Sequence, residues 1–424
     1  MPPSLPDADV IVVGGGPAGA AAAAVLARAG RSVVVVDKAT FPRDKCCGDG
    51  LTTWALRELD QLGFDPSAVP SWRVVDRAFV GSPSRRLIEF PLPSALGAPG
   101  MFAAVARREE LDAALLSMAE RAGADVRTGT AVVGASSSLS APAGNDGVTI
   151  TLADDTTIRA RHAIAADGMW SPMRRFLTEG GAATEGAKEP YLGDWHAFRQ
   201  YFRNVGPLAA NELFAWFEPD FLPGYAWSFP LGDGSANVGF GVVRGGRWPT
   251  AAMKTLWPEI LARPHIAEVL GPDAVAEAPH KAWPIPAHVG RVPLTIGSTL
   301  FVGDAAAVTD CLTGEGIGQA LATGRWAAEE LILVGTPRAD PGAAAVRYEA
   351  RIHRELDADH AMASALSRAL SHRKGARSAL WLAGLSPWTR RNFARWLFED
   401  YPRAAAFTPS RWTPGLFTGP GAFR

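Results

Sequence analysis

The chain has 424 residues, with 42 Lys and Arg against 43 Asp and Glu, 47% apolar residues, three cysteines and eight scattered histidines. Single cores seldom grow past roughly 250–300 residues, so two lobes are expected. The even charge balance excludes the global field that nucleic-acid binding uses, and three cysteines cannot form a disulfide framework. The opening "MPPSLPDADV" lacks the basic-then-apolar layout of a secretory signal. The apolar run Ala18–Ala29 is broken by Arg28 and falls short of the about 20 residues a spanning helix needs. A cytoplasmic protein is expected, touching a membrane only peripherally.

In chain order, Val10–Val13 reads as a buried strand, followed by a glycine turn, an Ala-rich helix to about Ala29 and a second strand Ser32–Val36. Thr52–Leu62 and Arg108–Ala122 have helical periodicity, and "VTITLADDTTIRAR" alternates around Asp154-Asp155 as a hairpin does. Ser136–Gly147 and Thr178–Pro190 read as loops or linkers. From His196 to Val243 the pattern is β-rich, with Phe198, Tyr201, Phe214, Trp216, Tyr225, Trp227 and Phe229 at strand spacing, predicting a sheet with one polar and one aromatic face. Thr299–Val302 is again a short strand, a helix is expected from about Gly314 to Leu333, and the chain is helical from Gly342 onward.

The stretch "VIVVGGGPAGA" places Gly14, Gly16 and Gly19 between a strand and a helix, with Asp37 closing the next strand. Such glycines let the backbone turn tightly and approach a pyrophosphate, the helix N-terminus offers free N–H groups, and the acid can accept from ribose hydroxyls. A dinucleotide site follows.

Two further stretches, "ADGMWSPMRR" and "LFVGDAAAVTDCLTGEGIGQA", with Arg108 and Asp112 in an R-x-x-L-D pattern, resemble fingerprints of the FAD enzymes of the p-hydroxybenzoate hydroxylase superfamily. Within it, "FPRDKCCGDGLT", "PGYAWSFP", "FRQYFRNV" and "LTGEGIGQAL" most resemble the geranylgeranyl reductase family, including menaquinone-chain and archaeal lipid reductases; the resemblance spans about Asp9 to Leu333. It implies an α/β fold: a discontinuous Rossmann-type FAD-binding lobe (1–75, 103–175 and 296–335), a β-sheet substrate lobe (76–102 and 176–295) and a helical C-terminal region (336–424). By resemblance, Asp304, Arg108, Asp167 and Gly168 serve the pyrophosphate and ribityl region, and the Gly314–Gly316 turn aims a helix N-terminus at the flavin. The same resemblance adds Pro17, Ala18, Lys38, Lys45, Cys46, Gly48, Asp49, Gly50, Val132, Gly303, Glu315 and Ile317 to the FAD set. The implied reaction saturates prenyl C=C bonds with hydride from reduced FAD and a proton. No second Gly-x-Gly-x-x-Gly unit follows, so NADPH or a small redox protein is the expected transient electron donor.

An isolated trisubstituted alkene develops cationic character when protonated, and aromatic faces suit both a cation and a prenyl chain. Tyr225, Trp227 and Phe229 share one strand face by parity and are pocket candidates, with Phe198, Tyr201 and Trp216 beside them. Each could equally be core. The adjacent Cys46 and Cys47 make a poor metal site, and no metal is expected; a vicinal disulfide is strained and rare. The resemblance sets Cys47 near the flavin face, as proton donor, entry gate or packing residue, with Cys46 and Cys311 standing where the family usually has proline. Three thiols bordering the flavin ring, oxidisable and acidic, are the expectation.

Rival readings are an FAD monooxygenase or halogenase working through a C4a-hydroperoxide, and a non-enzymatic prenyl-binding escort protein. The Tyr225-Ala-Trp227-Ser-Phe229-Pro230 motif leans to the reductases, and the intact FAD residues argue against an escort. Arg373, Lys374, Arg377, Arg390, Arg391 and Arg395, interleaved with Trp381, Trp388 and Trp396, suit either an anionic bilayer surface or a solvated helical cap. Oligomeric state is not legible.

Overall fold

The computed structural model describes residues 6–92, 102–138, 147–179, 191–333 and 341–412. The strand Ala8–Val13 sits at the centre of a sheet, paired in parallel with Val33–Asp37 on one side and Thr157–Ala165 on the other. Asp125–Thr128 and Thr299–Phe301 extend the two sides, again in parallel. Such strands are covered on both faces, which is why "VIVV" and "VVVV" are unbroken apolar runs instead of alternating ones. The hairpin predicted around Asp154-Asp155 joins Gly147–Leu152 to Thr157–Ala165, with Asp155 at φ 64° in the turn. Most of the two predicted linkers lies outside the described residues; Val132–Ser138 is a strand and Pro172–Glu179 a helix.

The Ala-rich helix Pro17–Arg28 packs against the helix Ile317–Leu333 at backbone distance. A Cβ added to Gly324 would stand 2.1 Å from the carbonyl oxygen of Ala18. Small side chains are a packing requirement there, so Ala20–Ala24 are fully buried despite carrying little apolar surface each.

A second, mostly antiparallel sheet is ordered Val275–Ala276, Trp195–Arg203, Ala236–Val243, Ala226–Pro230, Leu213–Trp216, Arg77–Gly81 and Leu87–Pro91, with Lys281–Ile285 also on Trp195–Arg203. Both of its faces are aromatic, which corrects the expectation of a polar face. Phe198, Phe214, Trp216 and Phe240 lie on one side with Trp257, under the helices Met253–Leu261 and Pro264–Leu270; Tyr201, Trp227 and Phe229 lie on the other.

The C-terminal chain forms the helices Pro341–Leu370, Arg373–Ala383 and Pro387–Leu397. They are tied to both sheets. Tyr348 donates to the carbonyl of Phe301 at 2.7 Å, Thr53 N–H to that of Phe398 at 2.8 Å, and Leu380 and Ala394 pack with Trp227 and Phe229. Among the described residues no helix is long and apolar enough to cross a membrane.

Candidate active site

The glycine turn divides its labour as the chemistry requires. Gly14 has φ +106°, and a Cβ on Gly19 would lie 1.9 Å from the carbonyl oxygen of Gly14, so Gly19 is small because the helix presses on the turn. A Cβ on Gly16 would meet only Arg43, at 3.4 Å. Gly16 therefore faces open space at the N-terminus of the helix Pro17–Arg28, where partial positive charge and unpaired N–H groups suit a phosphate. The Asp37 carboxylate accepts from Gly15 N–H at 2.7 Å and Ala39 N–H at 2.8 Å, fixing it at the end of its strand.

This turn opens into a cavity of 690 Å³ running between the two sheets. The loop "FPRDKCCGDG" forms its side and is pinned residue by residue. Arg43 pairs with Asp112 at 3.0 Å, Asp44 with Arg199 and Lys281, and Lys45 with Asp304 at 3.9 Å while lying over the Trp283 ring. Asp49, buried with φ 66°, accepts from Tyr201 at 2.7 Å and Asn237 at 2.9 Å, and Asn237 also donates to the Cys47 carbonyl. Burial pushes Asp49 up to about 6 against those hydrogen bonds. Arg108 holds Asp112 through two bonds of 2.8 Å and borders the cavity.

The far wall is the strand face bearing Tyr225, Trp227 and Phe229, with ring centroids 5.9 and 6.1 Å apart in succession. Beyond it lies a second cavity of 160 Å³, under the C-terminal helices and lined by Leu213, Ala215, Phe217, Leu366, Leu380, Phe393, Trp396 and neighbours. Gly50, Tyr225, Phe229, Thr313 and Glu315 border both spaces.

Against known proteins, residues 7–198 match the FAD binding domain family. A menaquinone reductase of Mycobacterium tuberculosis is 38% identical over 352 residues, 80% of each chain. The chain belongs to the geranylgeranyl reductase family of FAD-dependent oxidoreductases. A further family relative, the digeranylgeranylglycerophospholipid reductase of Methanocella arvoryzae, is 30% identical over 82% of this chain and 83% of its own. A geranylgeranyl bacteriochlorophyll reductase-like structure from Thermoplasma acidophilum superposes with TM-score 0.76 at 23% identity, covering 96% of this chain and 99% of that one; the halogenase PltM superposes at 0.68 and 19%, covering 95% and 85%. At such identities these two structures share the fold.

The geranylgeranyl reductase family's cofactor fits the observed cradle. Gly16 leaves room that a methyl group would fill, and the half-buried Asp167, raised to about 6 by desolvation, keeps its buried Oδ1 without a partner among the described residues beside the cavity. Of the residues assigned to FAD from sequence, Gly14, Gly16, Pro17, Ala18, Asp37, Lys38, Lys45, Cys46, Gly48, Gly50, Arg108, Val132, Asp167, Gly168, Gly303, Asp304, Gly314, Glu315, Gly316 and Ile317 line the larger cavity. Gly19 and Asp49 do not: the first packs helix on turn, the second anchors the loop from behind. Among the pocket candidates, Tyr225, Trp227 and Phe229 line it. Tyr201 stays behind the loop as the donor to Asp49. Phe198 and Trp216 face the opposite side of the sheet, because strand parity sets them with Phe240 and Trp257.

The thiols differ from expectation. Cys46 and Cys47 border the cavity as free thiols, but Cys311 is buried away from it, 3.2 Å from the Ser364 hydroxyl of the helix Pro341–Leu370. None is acidic. Burial pushes Cys46 up to about 12 and Cys311 to about 11, and it raises Cys47 despite the nearby Arg108. Residues that sequence reading missed include Trp283 and Lys281 on the cavity rim and Glu399 and Arg403 behind it. No local pattern marks them, since each reaches the site from an element distant in the chain.

Proposed function

We propose that this enzyme saturates C=C bonds of a prenyl chain. The observation that carries the reading is an almost wholly apolar cavity set against the larger one, with Gly50, Tyr225, Phe229, Thr313 and Glu315 lining both. A long hydrocarbon can thread the inner cavity and present one double bond at the wall, while a polar head group stays outside it. When bound and reduced, FAD supplies hydride. The chain's own residues do the rest: Lys45, Asp304 and Arg108 hold polar parts of the cofactor, the Gly16 turn receives the pyrophosphate, and the aromatic wall excludes water and favours a developing cation. The names of the curated relatives, menaquinone reductase and digeranylgeranylglycerophospholipid reductase, support a prenyl-lipid substrate. NADPH or a small redox protein is the external electron donor in this reading.

A lipid substrate brings the membrane surface with it. From Ser371 to Phe398 the chain contains no Asp or Glu. Arg373, Lys374 and Arg377 are exposed there beside Trp381 and Trp388, at 52% and 59% exposure, with Leu382 and Leu385. Basic residues with exposed tryptophan match an anionic bilayer interface, and the same helices roof the apolar cavity, so peripheral docking would deliver the substrate directly.

The test is anaerobic reduction of the purified yellow protein, incubation with a polyprenyl quinone or prenyl phosphate, and mass spectrometry. Hydrogens gained in pairs without air are expected. No product without air, but added oxygen once air and NADPH are supplied, would overturn the reductase reading.

A further inference from the structure

Resting on that reading, we propose that Glu315 is the proton donor to the substrate double bond. Five residues border both cavities, and three of them carry protic side chains. Tyr225 donates its hydroxyl hydrogen to the Thr313 carbonyl at 2.5 Å, and Thr313 donates its own to Asp310 at 2.5 Å. The Glu315 carboxyl makes no hydrogen bond with the described residues. Of the three it is the one whose side chain is committed to no described acceptor, at the boundary where a chain in the apolar cavity meets the cofactor side.

The surroundings keep that proton on. Burial, followed by the charges of Glu399 and Asp310, raises Glu315 to about 8 against the opposing Arg403. Arg403 cannot neutralise every acid: it lies 3.0 Å from Asp310, which it helps hold below the usual carboxylate range despite burial, and 3.6 Å from Glu399. Glu399, raised to about 7 by burial, accepts from Thr52 at 2.8 Å and Gln319 at 2.9 Å. Tyr225, pushed far above its ordinary value by burial and then by Glu315 itself, is too weak an acid to compete. Cys47 borders only the larger cavity, and burial makes its thiol a weaker acid than a free one. A carboxylic acid titrating near the working pH is the better general acid.

In the step itself the hydride adds to one alkene carbon while Glu315 gives its proton to the other. Two C–H bonds replace the π bond, the hydride source loses two electrons, and the carboxylate regains a proton from water.

The experiment compares FAD-loaded wild type with Glu315→Gln and Glu315→Asp. Infrared difference spectra without substrate should show a carboxylic-acid C=O band that titrates near pH 8 and is missing from Glu315→Gln. In anaerobic single turnover with a polyprenyl quinone, Glu315→Gln should be slower by about 100-fold or more, and Glu315→Asp should recover part of the rate. The wild-type rate should fall as pH rises through about 8, and that limb should vanish in Glu315→Gln. An active wild type with Glu315→Gln within roughly threefold of it, or no carboxylic-acid band removed by the substitution, overturns the proposal alone. A wild type that leaves the double bond intact overturns the reductase reading and the proposal with it.

Discussion

Two glycines of one motif should fail in opposite ways when each is changed to alanine. At Gly19 the new Cβ would stand 1.9 Å from the Gly14 carbonyl oxygen, more than an ångström inside the 3.0 Å that real Cβ contacts respect. Turn and helix must separate, and overpacking of that kind costs about 1–3 kcal/mol or more, cofactor or not. At Gly16 the backbone sits at φ −73°, which alanine adopts freely, and the only neighbour is a flexible Arg43 terminus at 3.4 Å. Gly16→Ala should leave the cofactor-free protein unchanged or stabilise it by up to about 1 kcal/mol through the unfolded chain. Its methyl group instead takes the space read here as the pyrophosphate seat. A tenfold loss of FAD affinity, about 1.4 kcal/mol, is the expected minimum. Since ligand stabilisation grows as RT ln(1 + [L]/Kd), the same about 1.4 kcal/mol should vanish from the FAD-induced rise in stability at saturating FAD. Thermal unfolding with and without FAD, alongside flavin fluorescence titration, separates the two cases. Gly16→Ala binding FAD like wild type, or Gly19→Ala with unaltered cofactor-free stability, would refute the assignment of roles.

Leu380→Trp, which fills the inner cavity from its roof, should raise KM for long prenyl chains well above that for a single-unit substrate; equal effects on both would argue against chain binding there. His162 is held down to about 4 by burial, against 6.5 unfolded. The unfolded chain takes up its proton first, so this contribution to stability is complete above about pH 6.5 and is lost as pH falls towards about 4. Urea unfolding at several pH values should find His162→Gln less acid-sensitive across that window. Replacing Trp381 and Trp388 together by alanine should at least halve flotation with anionic liposomes while leaving FAD content intact; unchanged flotation would remove those side chains from the docking surface.

The paired cysteines show where reading the sequence stopped. The family resemblance sets Cys46 and Cys47 at the flavin side, and both thiols border the larger cavity. It puts Cys311 there too, and the structure turns that thiol into the helix Pro341–Leu370. Sequence by itself determined the elements whose cause is local. The apolar runs of the parallel strands, the glycine turn and the parity that aligns Tyr225, Trp227 and Phe229 all follow from periods of two or about four residues. Parity does not say which face of the sheet lines the larger cavity, and Phe198 and Trp216 pack on the opposite face, with Phe240 and Trp257. Only tertiary structure brought Glu399 to Thr52 and Gln319, folded the C-terminal helices over an apolar cavity and left Glu315 between two spaces. Those contacts join segments up to 347 positions apart, and what decides them is the burial of many surfaces at once, which no local window of sequence encodes.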